Sequence, residues 1–392
     1  MPIAPPLPPA TSDTKDWTWV LDEACPECGF DAAAVEPGAV ARTVRSNAAA
    51  FALALRAPHP ARRRHDGTWS TLEYACHVRD VHRTFDERVR LMLDHDVPLF
   101  ANWDQDETAR AERYDLQDPA EVALALVEAA DAVATTYDGV PAEAWGRRGL
   151  RSNGSEFTVD SIARYHLHDV VHHLHDVAGA VTVAAYDVAV AGYREQTQDL
   201  VPDHVRDALD AFVAALPEHA RVLEIGSGSG RDARLLEQRG LSVRRTDVTP
   251  AFVDALRADG VAADLLDPLT DDLTDRVAPT EPQPYDGVWA NACLLHVARA
   301  DLPLVLMRLA AVTRPSGLFR LSLKEGDGDG WSTHGSVTTP RRFVYWREQP
   351  LRDALAGAGW SVVDLVHTEG LRGERWLNVV AQRGERGQEG AS

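Results

Sequence analysis

The sequence predicts a two-domain chain. An all-α four-helix bundle at residues 16–190 is followed by an α/β domain with a mostly parallel sheet at residues 200–385. Three observations carry this. At 392 residues the chain exceeds the roughly 250–300 residues at which a single core stops growing. Four long stretches of the first half repeat apolar residues at the period of a helix with one buried face. In the second half, runs rich in Val, Leu and Ile alternate with helical stretches, the pattern of a parallel α/β sheet.

The elements follow in order. "MPIAPPLPPATSDTK" is proline-rich and reads as a disordered leader, residues 1–15; it lacks the basic end and apolar run of a secretory signal. "CPEC" brings together Cys25 and Cys28, while Cys76 and Cys293 lie far apart. A zinc ribbon normally takes a second CxxC pair and none exists, which weighs against one. The flanks "DWTWVLDEA" and "GFDAAAV" fit poorly with the strand and helix around a redox CxxC. So few cysteines suit a reducing cytoplasm.

"PGAVARTVRSNAAAFALALRA", "STLEYACHVRDVHRTFDERVRLMLDH", "PAEVALALVEAADAVATTYDGV" and "TVDSIARYHLHDVVHHLHDVAGAV" are the four bundle helices. Ser70 or Thr71 is expected to cap the second, with Glu73 in its first turn, and Thr158 and Asp160 to do the same for the fourth. Turn-rich pieces such as "APHPARRRHDGTW" and "WGRRGLRSNGSEF" separate helices. After a join around "AAYDVAVAGYREQTQDLVPDH", the strands are "ARVLEIG", "LSVRRTDV", "YDGVWANACLL", "GLFRLSLKE", "WSVVDLVH" and "WLNVVAQR". "KEGDGDGWSTHG" reads as a flexible glycine-rich loop, and residues 386–392 as a disordered tail.

The net charge of −20 repels phosphate backbones, so nucleic acid is not an expected partner. No apolar run approaches the roughly 18 residues a membrane helix needs. The expected location is the cytoplasm.

The strongest signal is "RVLEIGSGSGRDARLLEQRG", a strand that runs into Gly226, Gly228 and Gly230 and then a helix. Glycines permit positive φ and let a ligand approach the backbone. The spacing is GxGxG, not the GxGxxG of dinucleotide enzymes, and no Gly-Lys-Ser/Thr follows. Asp247 ends the next strand, where a carboxylate can hold ribose hydroxyls. Residues 200–385 resemble the class I S-adenosylmethionine-dependent methyltransferases: "VLEIGSGSG" matches their first motif, Asp247 the second-strand acid and "YDGVWANACLLHV" the fourth-strand motif. The resemblance implies a Rossmann-like, mostly parallel seven-stranded sheet and S-adenosyl-L-methionine as cofactor. It also implies roles for residues. Glu224 orients the loop and the methionine amino group, Gly226, Gly228 and Gly230 pass close to the ligand, Asp247 receives the ribose and Asp264 contacts adenine. Asn291, Ala292 and His296 lie where methionine and substrate meet. His296 is a candidate base, since a near-neutral pKa suits that work; a hydrogen-bonded histidine after the fourth strand is the alternative.

"YHLHDVVHHLHDV" holds five of the chain's fifteen histidines: His166, His168, His172, His173 and His175. On a helix, Leu167, Val170, Val171, Leu174 and Val177 make the apolar stripe, and two i, i+4 pairs exist, His168 with His172 and Asp169 with His173. The helical wheel does not choose between them. His77, at the edge of the second helix's stripe, supplies a third ligand. Trp69, Ser70 and His77, with "HDVVHH", resemble the DinB-like superfamily, which includes mycothiol-dependent maleylpyruvate isomerases. That resemblance implies a divalent metal, zinc or nickel, held by three protein ligands with open positions; His77, His168, His172 and His173 are the candidates.

Three functions follow. The first is methylation of a small-molecule acceptor by an enzyme with a metal-binding helical domain attached. The second is a bifunctional enzyme whose metal domain works on a low-molecular-weight thiol before methylation. In the third, the helical domain is a docking or dimerisation module, and a homodimer is open.

Overall fold

The computed structural model describes residues 16–274, 283–370 and 372–384. The expected leader and tail lie outside the described residues. Contacts divide the chain into two compact units, Met1–Val181 and Thr182–Ser392.

The first unit is built on α1 (Val40–Ala54), α2 (Thr71–Asp94), a short α3 (Gln105–Ala111), α4 (Pro119–Asp138) and α5 (Val159–Asp176). The four long helices pack around Val44, Phe51, Val78, Val81, Leu126, Val133, Ile162 and Val170, all buried. Ser70 starts α2 with a reciprocal capping box: its hydroxyl accepts from Glu73 N at 3.2 Å, and the Glu73 carboxylate accepts from Ser70 N at 2.8 Å. Thr158 starts α5 in the same way, with Ser161 as its partner. Asp160 lies in its first turn, as expected, and there accepts from Arg164 Nε one turn on at 2.8 Å. One piece expected as a loop is a small sheet. β1 (Leu99–Phe100) pairs in parallel with β2 (Arg148–Arg151), and β3 (Glu156–Thr158) closes a hairpin on β2. Gly154, at φ +99°, makes the turn that only glycine takes easily.

Helix α6 (Ala178–Asp187) carries the chain into the second unit, where α7 (Val190–Thr197) and α8 (Asp203–Ala214) follow. Then come β4 (Arg221–Ile225), α9 (Arg231–Glu237), β5 (Ser242–Asp247), α10 (Pro250–Ala258), β6 (Asp264–Leu265), β7 (Tyr285–Asn291), α11 (Leu302–Val312) and β8 (Thr313–Lys324). The last elements are β9 (Asp329–Ser332), β10 (Arg341–Val344), α12 (Glu348–Gly357), β11 (Trp360–Glu369) and β12 (Arg375–Arg383). The seven-stranded sheet has the order β11-β12-β8-β7-β4-β5-β6. Only β12 runs against its neighbours. Adjacent residues point to opposite faces: Leu223 and Val288 enter one buried cluster with Phe319 and Leu321, while Val222 and Trp289 enter another with Leu209 and Phe212.

The glycine-rich segment after β8 is not a flexible loop. It forms β9, paired antiparallel with β10, and Asp329 is joined to Arg342 across the hairpin by an ion pair at 2.5 Å. The chain runs from β4 outward through β5 and β6, then returns to place β7 on the other side of β4. This reversal opens a crevice at the carboxyl ends of β4 and β7, the place where ligands bind in such sheets.

Candidate functional site

The crevice is built from the glycine loop. Gly226, Gly228 and Gly230 have φ of +72°, +52° and +75°. A Cβ on Gly226 would fall 2.4 Å from Cys293 Cβ, and one on Gly230 would fall 2.5 Å from Leu256 Cδ2. Hydrogen at Cα is therefore required at both, for conformation and for space. Asp247, at the end of β5, holds the loop from below: its carboxylate accepts from Gly228 N and Thr249 N, each at 2.8 Å. Burial raises its carboxyl above the usual range against the pull of those amides. Glu224, at 2% exposure, accepts from the Ser227 hydroxyl. Burial, and then the charge of Asp232, push its carboxyl up to about 8.

Glu224, Gly226, Gly228, Asn291 and Ala292 surround one cavity of about 150 Å³. Gly230, Asp247, Asp264 and His296 do not line it. Asp264 is turned to Arg244, with Nε 2.7 Å away. Sequence reasoning missed Asp232, also on the cavity wall. Its carboxylate accepts from Trp289 Nε1 at 3.0 Å and Asn291 Nδ2 at 2.8 Å. Ser322 completes the frame, donating to Asn291 Oδ1 at 2.7 Å and accepting from Ala292 N at 2.8 Å. Ala292 is held at φ +54°, a strained position for a residue with a Cβ.

His296 is fully engaged. Its Nδ1–H donates to the Arg342 carbonyl at 2.6 Å, and its Nε2 accepts from the Tyr186 hydroxyl at 2.9 Å. Burial pushes its pKa down to about 3. In this geometry it is a neutral link in a chain, not a free proton acceptor. The chain continues to Arg341, whose Nη1 donates to Tyr186 Oη at 2.9 Å. Tyr186 and Phe252 pack against Tyr193, whose ring borders the loop cavity. Arg341 and Lys324 flank the ring of Phe343, at 5.3 and 4.2 Å from its centroid. Both are buried, and among the described residues no carboxylate forms an ion pair with either.

In the helical unit, α5 offers both i, i+4 pairs at once, about 100° apart on the helix. Asp169 and His173 face His77 on α2. His77 Nε2 lies 3.3 Å from Asp169 Oδ1, and His173 Nε2 lies 3.8 Å from the same oxygen. Burial alone would raise the Asp169 carboxyl, but His77 and His173 hold it well below the usual carboxylate range. Asp176 accepts from His173 Nδ1 at 2.9 Å, which leaves Nε2 directed at the group; outer carboxylates of this kind orient metal-binding imidazoles. Trp103 stacks on His77 with an interplanar angle of 6°. His77 is fully buried and, among the described residues, its Nδ1 has no hydrogen-bond partner. Two imidazoles and one carboxylate fit a divalent metal. A cavity of about 410 Å³ opens onto Asp169 and His173. His168 and His172 do not join His77; they face the amino-terminal segment and the cysteines Cys25 and Cys28. His166 belongs to the core, where it links Tyr137 and His82, and His175 is a partly exposed residue beside Asp176.

Comparison with known proteins falls on the same two regions. Residues 223–321 match the methyltransferase domain family. These residues lie within the second unit, which therefore carries a methyltransferase domain. Residues 41–177 match the DinB superfamily, so the chain joins a DinB-superfamily domain to a methyltransferase domain. Among solved structures, 1,6-didemethyltoxoflavin-N1-methyltransferase of Burkholderia thailandensis is 23% identical, over 52% of this chain and 88% of that one, with a TM-score of 0.40. The N-methyltransferase NodS of Bradyrhizobium japonicum is 15% identical over 52% and 99%, with a TM-score of 0.39. Among curated proteins, the non-reducing polyketide synthase esdpA of Penicillium shearii is 27% identical over 190 residues, and Hemagglutinin 1 of Eikenella corrodens is 28% identical over 151. The chain spans 8% and 47% of those two proteins.

Proposed function

We propose that the domain at residues 200–385 transfers the methyl group of S-adenosylmethionine to a small-molecule acceptor, while the domain at residues 16–190 holds a divalent metal at His77, Asp169 and His173. The observation that carries the first part is the glycine loop with a buried carboxylate on each side, Glu224 and Asp247. Glu224 would ionise against the cationic methionine end of the ligand, and Asp247 would receive the ribose. Gly226, Gly228 and Gly230 give the ligand room, Asn291 and Ala292 form the wall toward the acceptor, and Asp264 would reach adenine on leaving Arg244. Methyl transfer needs an in-line approach, and proximity and orientation supply much of the rate. His296 and Tyr186 position the acceptor side. The buried cations Arg341 and Lys324 beside Phe343 favour a planar, anionic acceptor.

A second reading, in which the helical domain works on a low-molecular-weight thiol before methylation, is favoured by the cavity of about 410 Å³ beside Asp169 and His173. A zinc or nickel ion held there would lower the pKa of a bound thiol or water. The cytoplasm is the proposed location; among the described residues no helix is long and apolar enough to cross a membrane.

The test is acceptor-dependent formation of S-adenosylhomocysteine from S-adenosylmethionine, screened over planar carboxylates with wild type and Arg341→Met. Turnover of an anionic acceptor with KM raised in the variant supports the reading. Turnover confined to cationic acceptors removes the proposed acceptor class, and no turnover in any pool removes the methyltransferase reading. His77→Ala assayed in parallel separates the two readings, because only the bifunctional one makes methylation of a thiol-derived product depend on it.

A further inference from the structure

We infer that Cys25, Cys28, His168 and His172 form a second metal site, a closed tetrahedral Cys2His2 centre suited to zinc, distinct from the His77–Asp169–His173 group. The donor atoms of the four residues all lie within 4.8 Å of one another. Ligands at about 2.0–2.3 Å from a tetrahedral zinc place their donor atoms about 3.3–3.8 Å apart, and Cys25 Sγ already lies 3.7 Å from His172 Nδ1. The spacing in sequence, C-x2-C and H-x3-H, is that of structural zinc sites. A missing second CxxC pair weighs against zinc in the sequence; here two histidines of α5, some 140 residues later, take its place.

The local backbone is shaped for this. Cys25 N donates to Phe30 O at 2.8 Å and Gly29 N to Cys25 O at 2.9 Å. Gly29 takes φ +75°, a turn that folds the segment back so that Cys25 and Cys28 present their sulfurs to the same side. Both cysteines are free. A disulfide between them would leave the histidines unexplained. His168 is 3% exposed and its Nε2 is buried without a hydrogen-bond partner among the described residues, an orphan of the kind that needs an explanation in a native core. Trp17 packs on His168 and His172 at 5.3 and 5.1 Å, and Phe30 packs on His168 at 5.6 Å. These rings pack against one side of the site, and His168 and His172 also reach the wall of the cavity of about 410 Å³.

The chemistry balances. Two thiols lose their protons to solvent, two imidazoles bind neutral, and the dication with two thiolates has no net charge, which suits a buried position. Soft thiolates select zinc over the harder cations that accept the carboxylate of the His77 group. The centre would fasten the amino-terminal segment to α5, and that segment supplies Trp17 and Glu27 to the wall of the cavity beside Asp169 and His173.

Cobalt titration of the full chain, stripped of metal under reducing conditions, tests this. Thiolate-to-cobalt charge-transfer absorption is expected, with tetrahedral d–d bands. It should persist in His77→Ala and vanish in the double variant Cys25→Ser, Cys28→Ser, while metal content falls from two equivalents to one in either protein. Zinc absorption-edge spectroscopy of wild type and His77→Ala decides the matter even if the serine variant does not fold. Two sulfur and two nitrogen neighbours support the centre; nitrogen and oxygen neighbours alone overturn it. Because the His77 group offers no sulfur, a failure there leaves the sulfur signature intact, and the two results stay distinguishable.

Discussion

Replacing Gly226 by Ala probes the glycine loop at its tightest point. The residue sits at φ +72°, and the new Cβ would lie 2.4 Å from Cys293 Cβ and 3.0 Å from its Sγ. Cys293 has little freedom to withdraw, since its Sγ lies 3.0 Å from the Ile225 carbonyl, to which it donates. The left-handed backbone costs an L-residue about 1–2 kcal/mol, and overpacking adds about 1–3 kcal/mol, so the second unit should lose about 2–5 kcal/mol. Gly240→Ala is the internal control: φ is +88° with nothing within 4 Å of its Cβ, so only the backbone part, about 1–2 kcal/mol, applies. Urea denaturation of the full chain, followed by hydrogen exchange of peptides covering β4, reads the second unit alone. Adding Cys293→Gly to Gly226→Ala should recover the packing part. If Gly226→Ala costs no more than Gly240→Ala, or if the second substitution recovers nothing, the close packing of loop and Cys293 is wrong.

Three further outcomes are expected. Glu224 has its folded pKa raised from 4.5 to about 8, so in that window the folded state keeps a proton the unfolded chain has released. Its stabilising contribution is full below about pH 4.5 and lost as pH rises toward 8; Glu224→Gln should flatten that fall in a series of melting temperatures, and an unchanged slope would show that another group carries it. Asp176→Ala should weaken metal binding at the His77 group by about 10–100-fold, because His173 loses the carboxylate that orients it; a competition titration with a chelator measures this, and unchanged affinity would remove Asp176 from the site. Ser70→Ala should destabilise the helical unit by about 1 kcal/mol by opening the capping box of α2, seen in urea denaturation followed by hydrogen exchange of α2 peptides, and no shift would mean that Arg63, whose Nε donates to Glu73 Oε2 at 2.9 Å, holds the helix start unaided.

Much of the fold was legible because it rests on local patterns. Ser70 with Glu73, and Thr158 with Asp160, mark helix starts within a single turn, and the apolar runs of β4 and β7 read as buried strands. The missed elements are short or turn-driven. β6 has two residues, too few for any period. The β2–β3 hairpin hides in "RSNGSEF", where Asn153-Gly154 was a readable turn signal. The β9–β10 hairpin is masked by its glycines. At the sites, residue type was legible and partnership was not. The helical wheel separates His168/His172 from Asp169/His173, but only tertiary packing shows that each pair meets a different neighbour. Cys25 and His172 are 147 positions apart. Asp232 carried no signal beyond its place in the helix after the loop, because its role comes from Trp289 and Asn291 on a strand far along the chain.

The central claim is that the crevice at the ends of β4 and β7 binds the nucleoside methyl donor through Glu224 and Asp247. Isothermal calorimetry of S-adenosylhomocysteine with the full chain tests it most directly. One site with a micromolar Kd, about −8 kcal/mol, is the expected result for wild type, weakened by about 1.5–3 kcal/mol in Asp247→Ala through lost charge-assisted hydrogen bonds. A folded wild-type protein that releases no heat with either S-adenosylhomocysteine or S-adenosylmethionine would contradict the account.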